Sequence, residues 1–291
     1  MFALAHLSDL HLASQPGTST LAGKRGLGFV NWQRKRKYIH RPDVLDAITH
    51  DLKAQALDHI AVTGDLVNLS LPAEYARAKR WLQTLGEPGD VTVVPGNHDT
   101  YVRSAEKSPA AFWGEYMRGD NGLERFPFIR WRGNVALIAL STGVPTAPFM
   151  ATGRLGESQL ADFADALDQT RGSFRVVLIH HPPVTPPRRY LRRLTDAASF
   201  RSVLAAKGAE LLLHGHDHRR LFNWLQGPGG TKIPAIGVPS ASARARHGDE
   251  DSAGYHIFHI DGAGVPWRCE MIARGRGVDG TIRECDRRTI Y

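Results

Sequence analysis

Five short polar motifs are spread along the chain, and each follows an apolar run typical of a β-strand. Their side chains are carboxylates, an amide and imidazoles, which are ligands for divalent metal ions. In chain order the motifs are Asp9-Leu10-His11, Gly64-Asp65, Gly96-Asn97-His98-Asp99, His180-His181-Pro182 and Gly215-His216-Asp217-His218. One such motif alone is a weak signal, but five offer about as many donors as two adjacent ions need. The series therefore predicts a hydrolase with a two-metal centre.

Spacing within the motifs allows two side chains to reach one ion. Asp9 and His11 are two residues apart, so in an extended segment both side chains point the same way. His216 and His218 have the same spacing after an apolar run. Asp65 has two carboxylate oxygens and is suited to bridge two cations roughly 3.5–4 Å apart.

The other motif residues divide into candidate ligands and supporting groups. Asn97 supplies an amide oxygen and His180 directly ends its strand, so both are predicted to bind metal. His98 is then displaced from the metals and free to act on the substrate. His181 is expected in the surrounding pocket, and for Asp99 a role in capping or loop orientation is favoured.

Apolar runs alternate with helical patterns, which argues for a layered α/β fold. Strands are predicted at residues 2–7, 59–63, 91–94, 135–140, 175–179 and 210–213, and helices at 42–56, 72–85, 109–117, 157–168 and 197–206. Beyond residue 220 the pattern predicts antiparallel strands joined by turns. Every motif follows a predicted strand, and α/β sheets bind ligands outside the carboxyl ends of their strands. The motifs are therefore expected to converge on one site.

The bulk properties are those of an ordinary globular protein: 291 residues, 42% hydrophobic and 23% charged. No apolar run approaches the roughly 18 residues that span a bilayer, and no signal peptide is readable. We expect a single domain over residues 1–291, with a core to about residue 260 and a basic C-terminal extension over 261–291, loosely packed from Arg274. A cytoplasmic location is the expectation, with peripheral contact at the inner face of the membrane as an extension of it.

Much of the net charge of +8 is concentrated in two segments. Residues 15–41 contain seven Lys and Arg residues and no acidic residue, and residues 188–193 contain four arginines. Such positive fields concentrate anionic substrates, nucleic acid or acidic membrane surfaces. Arg188, Arg189 and His181 are accordingly the predicted substrate-binding residues. A basic surface that serves only solubility is the alternative interpretation.

The ordered motifs resemble those of the calcineurin-like metallophosphoesterase superfamily, and within it small bacterial phosphodiesterases, including the class III cyclic-nucleotide phosphodiesterases. The similarity spans roughly Leu4 to Arg219. It implies an α/β fold, a layered αββα sandwich of mixed sheets flanked by helices. It also implies one metal held by Asp9, His11, Asp65 and His218, and another held by Asp65, Asn97, His180 and His216. His98 takes the place of the family's substrate-facing histidine.

The chemistry implied by this resemblance is hydrolysis of a phosphodiester with two divalent ions, either Mn, Fe or Zn. The ions would bind phosphoryl oxygens and lower the pKa of a bridging water, whose hydroxide attacks phosphorus in line. His98 would stabilise the developing charge or protonate the leaving oxygen.

The identity of the substrate rests on the two basic segments. Residues 15–41 interleave cations with apolar side chains such as Phe29 and Trp32, as expected of a segment on an anionic bilayer. Related enzymes that act on lipids resemble this chain in carrying basic insertions. The preferred hypothesis is a phosphodiesterase for an amphiphilic, lipid-linked phosphodiester, with peripheral contact to an acidic membrane. Alternatives are a soluble cyclic-nucleotide phosphodiesterase, a nucleic-acid substrate, a non-catalytic binding module, or simple packing of both segments over the sandwich.

Overall fold

The computed structural model describes residues 1–16, 21 and 23–291. Residues 17–20 and 22, which belong to the predicted basic segment 15–41, lie outside this part. The described residues form two six-stranded mixed sheets. The first sheet, in spatial order, contains β12 (Ile282–Thr289), β11 (Arg268–Arg276), β10 (Gly254–Asp261), β1 (Phe2–Leu7), β2 (His59–Val62) and β3 (Val91–Val93). The second contains β4 (Phe128–Arg132), β5 (Val135–Ala139), β6 (Phe174–Leu178), β7 (Leu211–His214), β9 (Lys232–Gly237) and β8 (Leu221–Gln226).

Helices cover the outer faces of both sheets and form the insertion after the first motif. They are α1 (Lys24–Asn31), α2 (Lys37–Ile39), α3 (Pro42–Lys53), α4 (Pro72–Leu85), α5 (Ser108–Trp113), α6 (Glu157–Gln169) and α7 (Ala197–Lys207). A π-helical turn, Trp32–Arg36, joins α1 to α2. Pro42 and Pro72 each open a helix, where a missing N–H leaves no hydrogen bond unmade. No helix of the described part is long and apolar enough to cross a membrane.

The core is layered as αββα. One apolar cluster joins residues of both sheets, such as Leu4 and Leu178, and continues beneath α3 and α4 through Ile48 and Leu82. A second cluster lies between the second sheet and the pair α6 and α7, where the rings of Phe163 and Phe200 stack 5.3 Å apart. Strands covered on both faces need nearly continuous apolar runs, and this is the pattern that the sequence carries. The predicted sandwich of mixed sheets flanked by helices is confirmed.

The C-terminal residues depart from the expectation. β11 pairs with β10 along eight residues, from Gly254↔Gly275 to Asp261↔Arg268, and β12 pairs with β11. Cys269, Met271 and Ala273 of β11 are buried in the core. The expectation of a loosely packed tail from Arg274 is therefore wrong, and residues 261–291 contain two strands of the first sheet. Most residues of β12 are charged and exposed, so its sequence does not show the apolar pattern typical of a strand.

The topology brings the five motif loops to one end of the sandwich. β1, β2 and β3 are parallel neighbours in the first sheet, and β5, β6 and β7 are parallel neighbours in the second. Backbone bonds join the loops within each sheet, from Asp9 N to Gly64 O (2.9 Å) and from Gly215 N to His180 O (3.1 Å). The carboxyl ends of both sets of strands therefore face the same site.

Candidate metal centre

Five of the seven predicted ligands have a left-handed backbone conformation. They are Asp9, His11, Asp65, His216 and His218, with φ between 50° and 70°. Such angles are uncommon for residues other than glycine, and they concentrate at functional sites, where the surrounding structure holds them. Each residue lies where the chain leaves a strand and turns back across its end. The backbone is thus bent sharply at the positions that the motifs singled out.

Two glycines of the motifs allow the loops to approach each other. A Cβ at Gly96 would collide with Asp65 Oδ1 and would lie 2.8 Å from His180 Cε1. A Cβ at Gly215 would lie 2.5 Å from Asp9 Oδ2. Only glycine leaves enough room for the polar side chains to gather here.

Asp9, His11 and His218 form one buried cluster. His11 Nε2 lies 3.0 Å from His218 Nε2, and His218 Nε2 lies 3.1 Å from Asp9 Oδ1. The distance from His11 Nε2 to Asp9 Oδ1 is 3.8 Å. His218 Nδ1 is 2.9 Å from Glu250 Oε2, a carboxylate that orients the imidazole from behind. Both Nε2 atoms face the same carboxylate, as the ligands of one cation would.

His180, His216 and Asp65 form a second cluster. His180 Nε2 is 3.4 Å from Asp65 Oδ2 and 3.2 Å from His216 Nδ1. Backbone carbonyls select the tautomers, because His180 Nδ1–H donates to Thr63 O (2.6 Å) and His216 Nε2–H donates to Arg192 O (2.9 Å). The opposite nitrogen of each ring is then free to bind a metal.

Asp65 lies between the two clusters. Its carboxylate shares one compact group with Asp9 and His180, and another with His11 and His98. In each group the candidate ligand atoms are within 4.8 Å of one another. Asp65 Oδ1 also accepts a hydrogen bond from His98 N (2.8 Å), which holds the carboxylate in place. This position suits a carboxylate that bridges two ions.

The donor set fits divalent metal ions. Asn97 Oδ1 is buried and has no hydrogen-bond partner within the described part of the chain. A buried polar oxygen without a partner is costly, and a cation would satisfy it. The neighbouring donors are imidazole nitrogens and carboxylate oxygens without thiolate, which suits Mn, Fe or Zn.

Electrostatics within the clusters favour a cation as well. Burial would lower the pKa of His180, but Asp65 outweighs burial and raises this pKa to about 9. Burial acts in the same way on His218, and there Asp9 raises the pKa to about 9. The pKa of Asp65 is lowered despite its burial, chiefly by His180 and His98. The buried carboxylates therefore attract positive charge to the centre of the site.

Asp99 orients the loops around the clusters. Its carboxylate accepts hydrogen bonds from the N–H groups of Gly96 (2.8 Å), Asp65 (2.8 Å), Leu66 (2.9 Å) and Val67 (3.1 Å). These bonds connect the loops after β2 and β3. The loop-orienting role favoured from the sequence agrees with this geometry.

His98 lies beside the clusters and contacts an arginine of the insertion. Arg36 Nη1 is 2.8 Å from His98 Nε2 and 3.1 Å from Asn68 Oδ1. A guanidinium only donates hydrogen bonds, so His98 Nε2 accepts from Arg36 while Nδ1–H donates to Asn68 O (2.6 Å). Burial, with Arg36 as the next cause, lowers the pKa of His98 to about 3. In this arrangement Arg36 is the charged donor of the pair, and His98 positions its guanidinium.

The pocket over the clusters has a volume of about 200 Å³. Its walls include Asp65, Asn97, His98, His216 and His218 of the motifs, together with Arg36, His40, Arg192 and Glu250. The last four of these residues were not predicted as site residues from the sequence. Arg36, His40 and Arg192 lie in the basic segments, but only the folded backbone decides which of their side chains point inward. His40 belongs to the first cluster, since its ring lies 4.4 Å from that of His11.

Arg188 and Arg189, predicted to bind substrate, are not among the residues that line the pocket. Arg188 is exposed and pairs with Asp249 (3.0 Å). Arg189 is buried and forms ion pairs with Asp217 and Asp249, so neighbouring carboxylates already neutralise it. The arginines that line the pocket are Arg36 and Arg192.

His181, the third predicted substrate-binding residue, lies behind the second cluster. Its ring is fully buried 4.4 Å from that of His216, and its Nδ1 is 2.7 Å from Thr142 Oγ1. His181 Nε2 is 3.2 Å from Ala151 O. Both ring nitrogens are thus engaged by the protein, and the side chain supports His216 instead of facing the pocket.

Known proteins are similar to this chain in sequence and in fold. Residues 2–220 match the sequence profile of the calcineurin-like phosphoesterases. A protein of Synechococcus sp. described as a probable cyclic nucleotide phosphodiesterase is 30% identical over 278 residues, which are 92% of this chain and 91% of the relative.

Solved structures with a similar fold include a purple acid phosphatase from yellow lupin seeds, with a TM-score of 0.60, 11% identity and 99% of this chain covered. A sulfate thiohydrolase from Thermus thermophilus has a TM-score of 0.51 and 18% identity over 92% of this chain. The chain spans only 53% and 55% of these two structures. At such identities the likeness concerns the fold alone.

Proposed function

The chain belongs to the calcineurin-like phosphoesterase family, and we propose that it is a two-metal phosphodiesterase for an amphiphilic substrate. As a member of the family it is a hydrolase of phosphoric esters, and membership implies divalent metal ions. The observation that carries the finer proposal is the position of Asp65 between two clusters of buried ligands, with the unpartnered Asn97 Oδ1 beside them.

In this proposal Asp9, His11, Asp65 and His218 hold one ion, and Asp65, Asn97, His180 and His216 hold the other. When bound, divalent ions neutralise phosphoryl charge and lower the pKa of water. Backbone carbonyls at Thr63 and Arg192 keep the imidazoles of His180 and His216 in the tautomers that bind metal.

The protein's own cations position the phosphoryl group. Arg36 and Arg192 line the pocket, and a guanidinium matches the oxygens of a phosphodiester. His98 Nε2 and Asn68 Oδ1 hold Arg36 through its Nη1. The guanidinium then donates from Nη2 to the substrate as charge develops on an oxygen. Donation by Arg36 takes the place of direct protonation by His98, since His98 Nε2 already accepts a hydrogen bond.

A second cavity beside the pocket supports an amphiphilic substrate. It has a volume of about 320 Å³ and shares His40 with the pocket as a wall. Within the described part of the chain its lining combines apolar Leu10, Leu12, Trp32 and Leu45 with basic Lys37, Arg41 and Arg77. A substrate whose phosphate enters the pocket could place an apolar group there.

A soluble cyclic nucleotide is the second candidate substrate. The observation in its favour is the Synechococcus relative, which is described as a probable cyclic nucleotide phosphodiesterase. In this case the base would occupy the second cavity and stack on Trp32.

Metal content and turnover test the two-metal centre together. We expect two Mn²⁺ ions per chain in the purified protein after loading, and turnover of bis-p-nitrophenyl phosphate that chelation removes. Asp65→Ala and His216→Ala should each lose bound metal and reduce turnover by at least about 10²-fold, because both remove proposed ligands. Asp46→Asn and His50→Ala, on the exposed surface of α3, are the matched controls. Full metal content and activity in the Asp65→Ala and His216→Ala variants would rule out the centre.

A substrate panel with Mn²⁺ separates the two candidates. It compares glycerophospholipids, UDP-linked lipids and cyclic AMP under the same conditions. The amphiphilic proposal predicts the highest kcat/KM for a lipid phosphodiester. Preference for cyclic AMP would support the soluble alternative instead.

A further inference from the structure

Three of the segments that border the mouth of the pocket each present an exposed apolar side chain near a pocket-lining residue. The pairs are Leu27 with Asn31, Phe149 with Ala151, and Leu191 with Arg192. Leu27 is one helical turn from Asn31 on the same side of α1. The exposed fractions of the three apolar side chains are 50%, 84% and 50%. Large apolar groups at such exposure mark an interaction surface when they are contiguous.

Direct contacts join the three segments. Lys24 of α1 donates from Nζ to Thr146 O at 3.0 Å. Ala151 N, after the same loop, donates to Leu191 O at 2.9 Å. Leu27, Val30, Phe149, Tyr190 and Leu191, all exposed, therefore belong to one connected border around the mouth, which we call the apolar rim.

The segments that carry the apolar rim contain no acidic residue. Residues 15–41, 141–156 and 182–195 together hold twelve Lys and Arg residues and no Asp or Glu. Asp249 neutralises Arg188 and Arg189, and Glu250 lies near Arg192. Arg34, Lys35 and Arg193 form no ion pair within the described part of the chain. These three cations lie in the same segments as the exposed apolar groups and are not neutralised by a carboxylate of the described residues.

We propose that the apolar rim docks on an anionic lipid bilayer, with the mouth of the pocket turned toward the headgroups. Apolar side chains flanked by Lys and Arg are what the boundary between headgroups and acyl chains accommodates, since the apolar groups insert and the cations pair with lipid phosphates. Three acid-free segments match a surface that is negative everywhere, and the nearby Asp249 and Glu250 lie against arginines. The consequence for catalysis rests on the proposed function, because docking would bring a lipid phosphodiester to the pocket.

Co-sedimentation with vesicles tests the docking without any measurement of activity. The full-length protein is mixed with vesicles of equal parts phosphatidylcholine and phosphatidylglycerol, and with vesicles of phosphatidylcholine alone. We expect binding to the anionic vesicles at low salt, weaker binding at high salt, and little binding to the neutral vesicles. Absence of binding to anionic vesicles at low salt overturns the proposal. Binding to a single-stranded oligonucleotide without binding to vesicles also overturns it, in favour of nucleic acid.

Variants locate the surface. The triple change Leu27→Ser, Phe149→Ser and Leu191→Ser should weaken vesicle binding by about tenfold or more, because it removes the inserting groups. The matched control is Val265→Ser with Val278→Ser, two exposed valines in the turns that flank β11. Equal binding by the rim variant and this control overturns the assignment of the surface.

Turnover of soluble bis-p-nitrophenyl phosphate separates this inference from the proposed function. The rim variant should retain this turnover, which also shows that it is folded. If the wild-type protein binds vesicles but cleaves no phosphodiester, the proposed function fails and the docking stands. If it cleaves the soluble ester but binds no vesicles, the docking fails alone.

Discussion

At the scale of single residues, the site depends on what holds each ligand as much as on the ligands themselves. Carbonyl oxygens of Thr63 and Arg192 select the ring nitrogens of His180 and His216 that face the metals. Glu250 does the same for His218. Such partners tune metal affinity although they never touch the ion. Thr63 and Arg192 act through backbone carbonyls, which every residue type has, so the sequence does not identify them. Glu250 lies outside the five motifs and was not predicted for that reason.

Arg36 provides a prediction at the same scale. Arg36→Ala should lower kcat/KM for bis-p-nitrophenyl phosphate about 10- to 100-fold, since hydrogen bonds to charged groups are worth about 1.5–3 kcal/mol. Steady-state kinetics of metal-loaded protein measure the effect. Arg34→Ala, on the exposed side of the same π-helical turn, is the control and should keep wild-type kinetics. If both variants behave alike, Arg36 has no role in the pocket.

At the scale of elements, the C-terminal strands stabilise α3, a helix that contributes no predicted metal ligand. Asp51 of α3 accepts hydrogen bonds from Tyr255 of β10 (2.6 Å) and from Arg274 of β11 (2.7 Å at each oxygen). Partial burial would raise the pKa of Asp51, but the bonds from Arg274 and Tyr255 outweigh it and lower the pKa. β10 and β11 therefore anchor α3 to the first sheet.

Asp51→Asn should reduce the free energy of unfolding by about 1–3 kcal/mol at pH 7. Because the folded-state pKa is lowered, this stabilisation is present above the unfolded value near about 4 and is lost as the pH falls below it. Urea unfolding at several pH values should thus show the difference from wild type shrinking in acid. Asp46→Asn, on the exposed face of α3, should change stability by no more than about 0.5 kcal/mol. A difference that does not vary with pH would contradict the ionic contribution of Asp51.

At the scale of the whole molecule, imidazoles also lie deep in the sandwich, away from the metal centre. His256 of β10 is buried, and neither ring nitrogen has a hydrogen-bond partner within the described residues. Burial, followed by Arg220 and Arg288, lowers the pKa of His256 to about 3. His59 of β2 is similar, and burial lowers its pKa to about 3 while its Nε2 lies 2.7 Å from Thr92 Oγ1. Both rings are neutral in the fold.

Acid should therefore unfold the protein in part through these histidines. A lowered folded-state pKa means that stability is present above the unfolded value of about 6.5 and is lost as the pH falls toward the folded value, by at most about 1.4 kcal/mol per pH unit for each ring. His256→Phe should make the free energy of unfolding fall less steeply between about pH 6.5 and 4. Denaturant titrations over that range measure the slope. An unchanged slope would mean that His256 is not buried as a neutral ring.

The reaction class and most of the secondary structure were predictable from the amino-acid sequence. Apolar runs of strand length marked β1, β2, β3, β5, β6 and β7, and the Pro72–Leu85 helix was predicted at its observed bounds. These features are local, because periodicity and turn residues act over a few positions. The polar motifs were equally readable, since each lies within a few residues of a strand end.

Which arginines reach the pocket, and which residues support the ligands, depends on how distant segments pack in the folded chain. Arg36 and Arg189 look alike in sequence, yet Arg36 contacts His98 while Arg189 is paired with Asp217. Backbone rotation and the packing of distant loops set these directions, and no short-range pattern records them. β11 was hidden for a different reason. It pairs with its chain neighbours β10 and β12, but its buried Cys269, Met271 and Ala273 are interspersed with charged residues. The motifs identify the ligand types because these are local features of the sequence. The partners of each side chain depend on the packing of the two sheets, so the sequence does not show them.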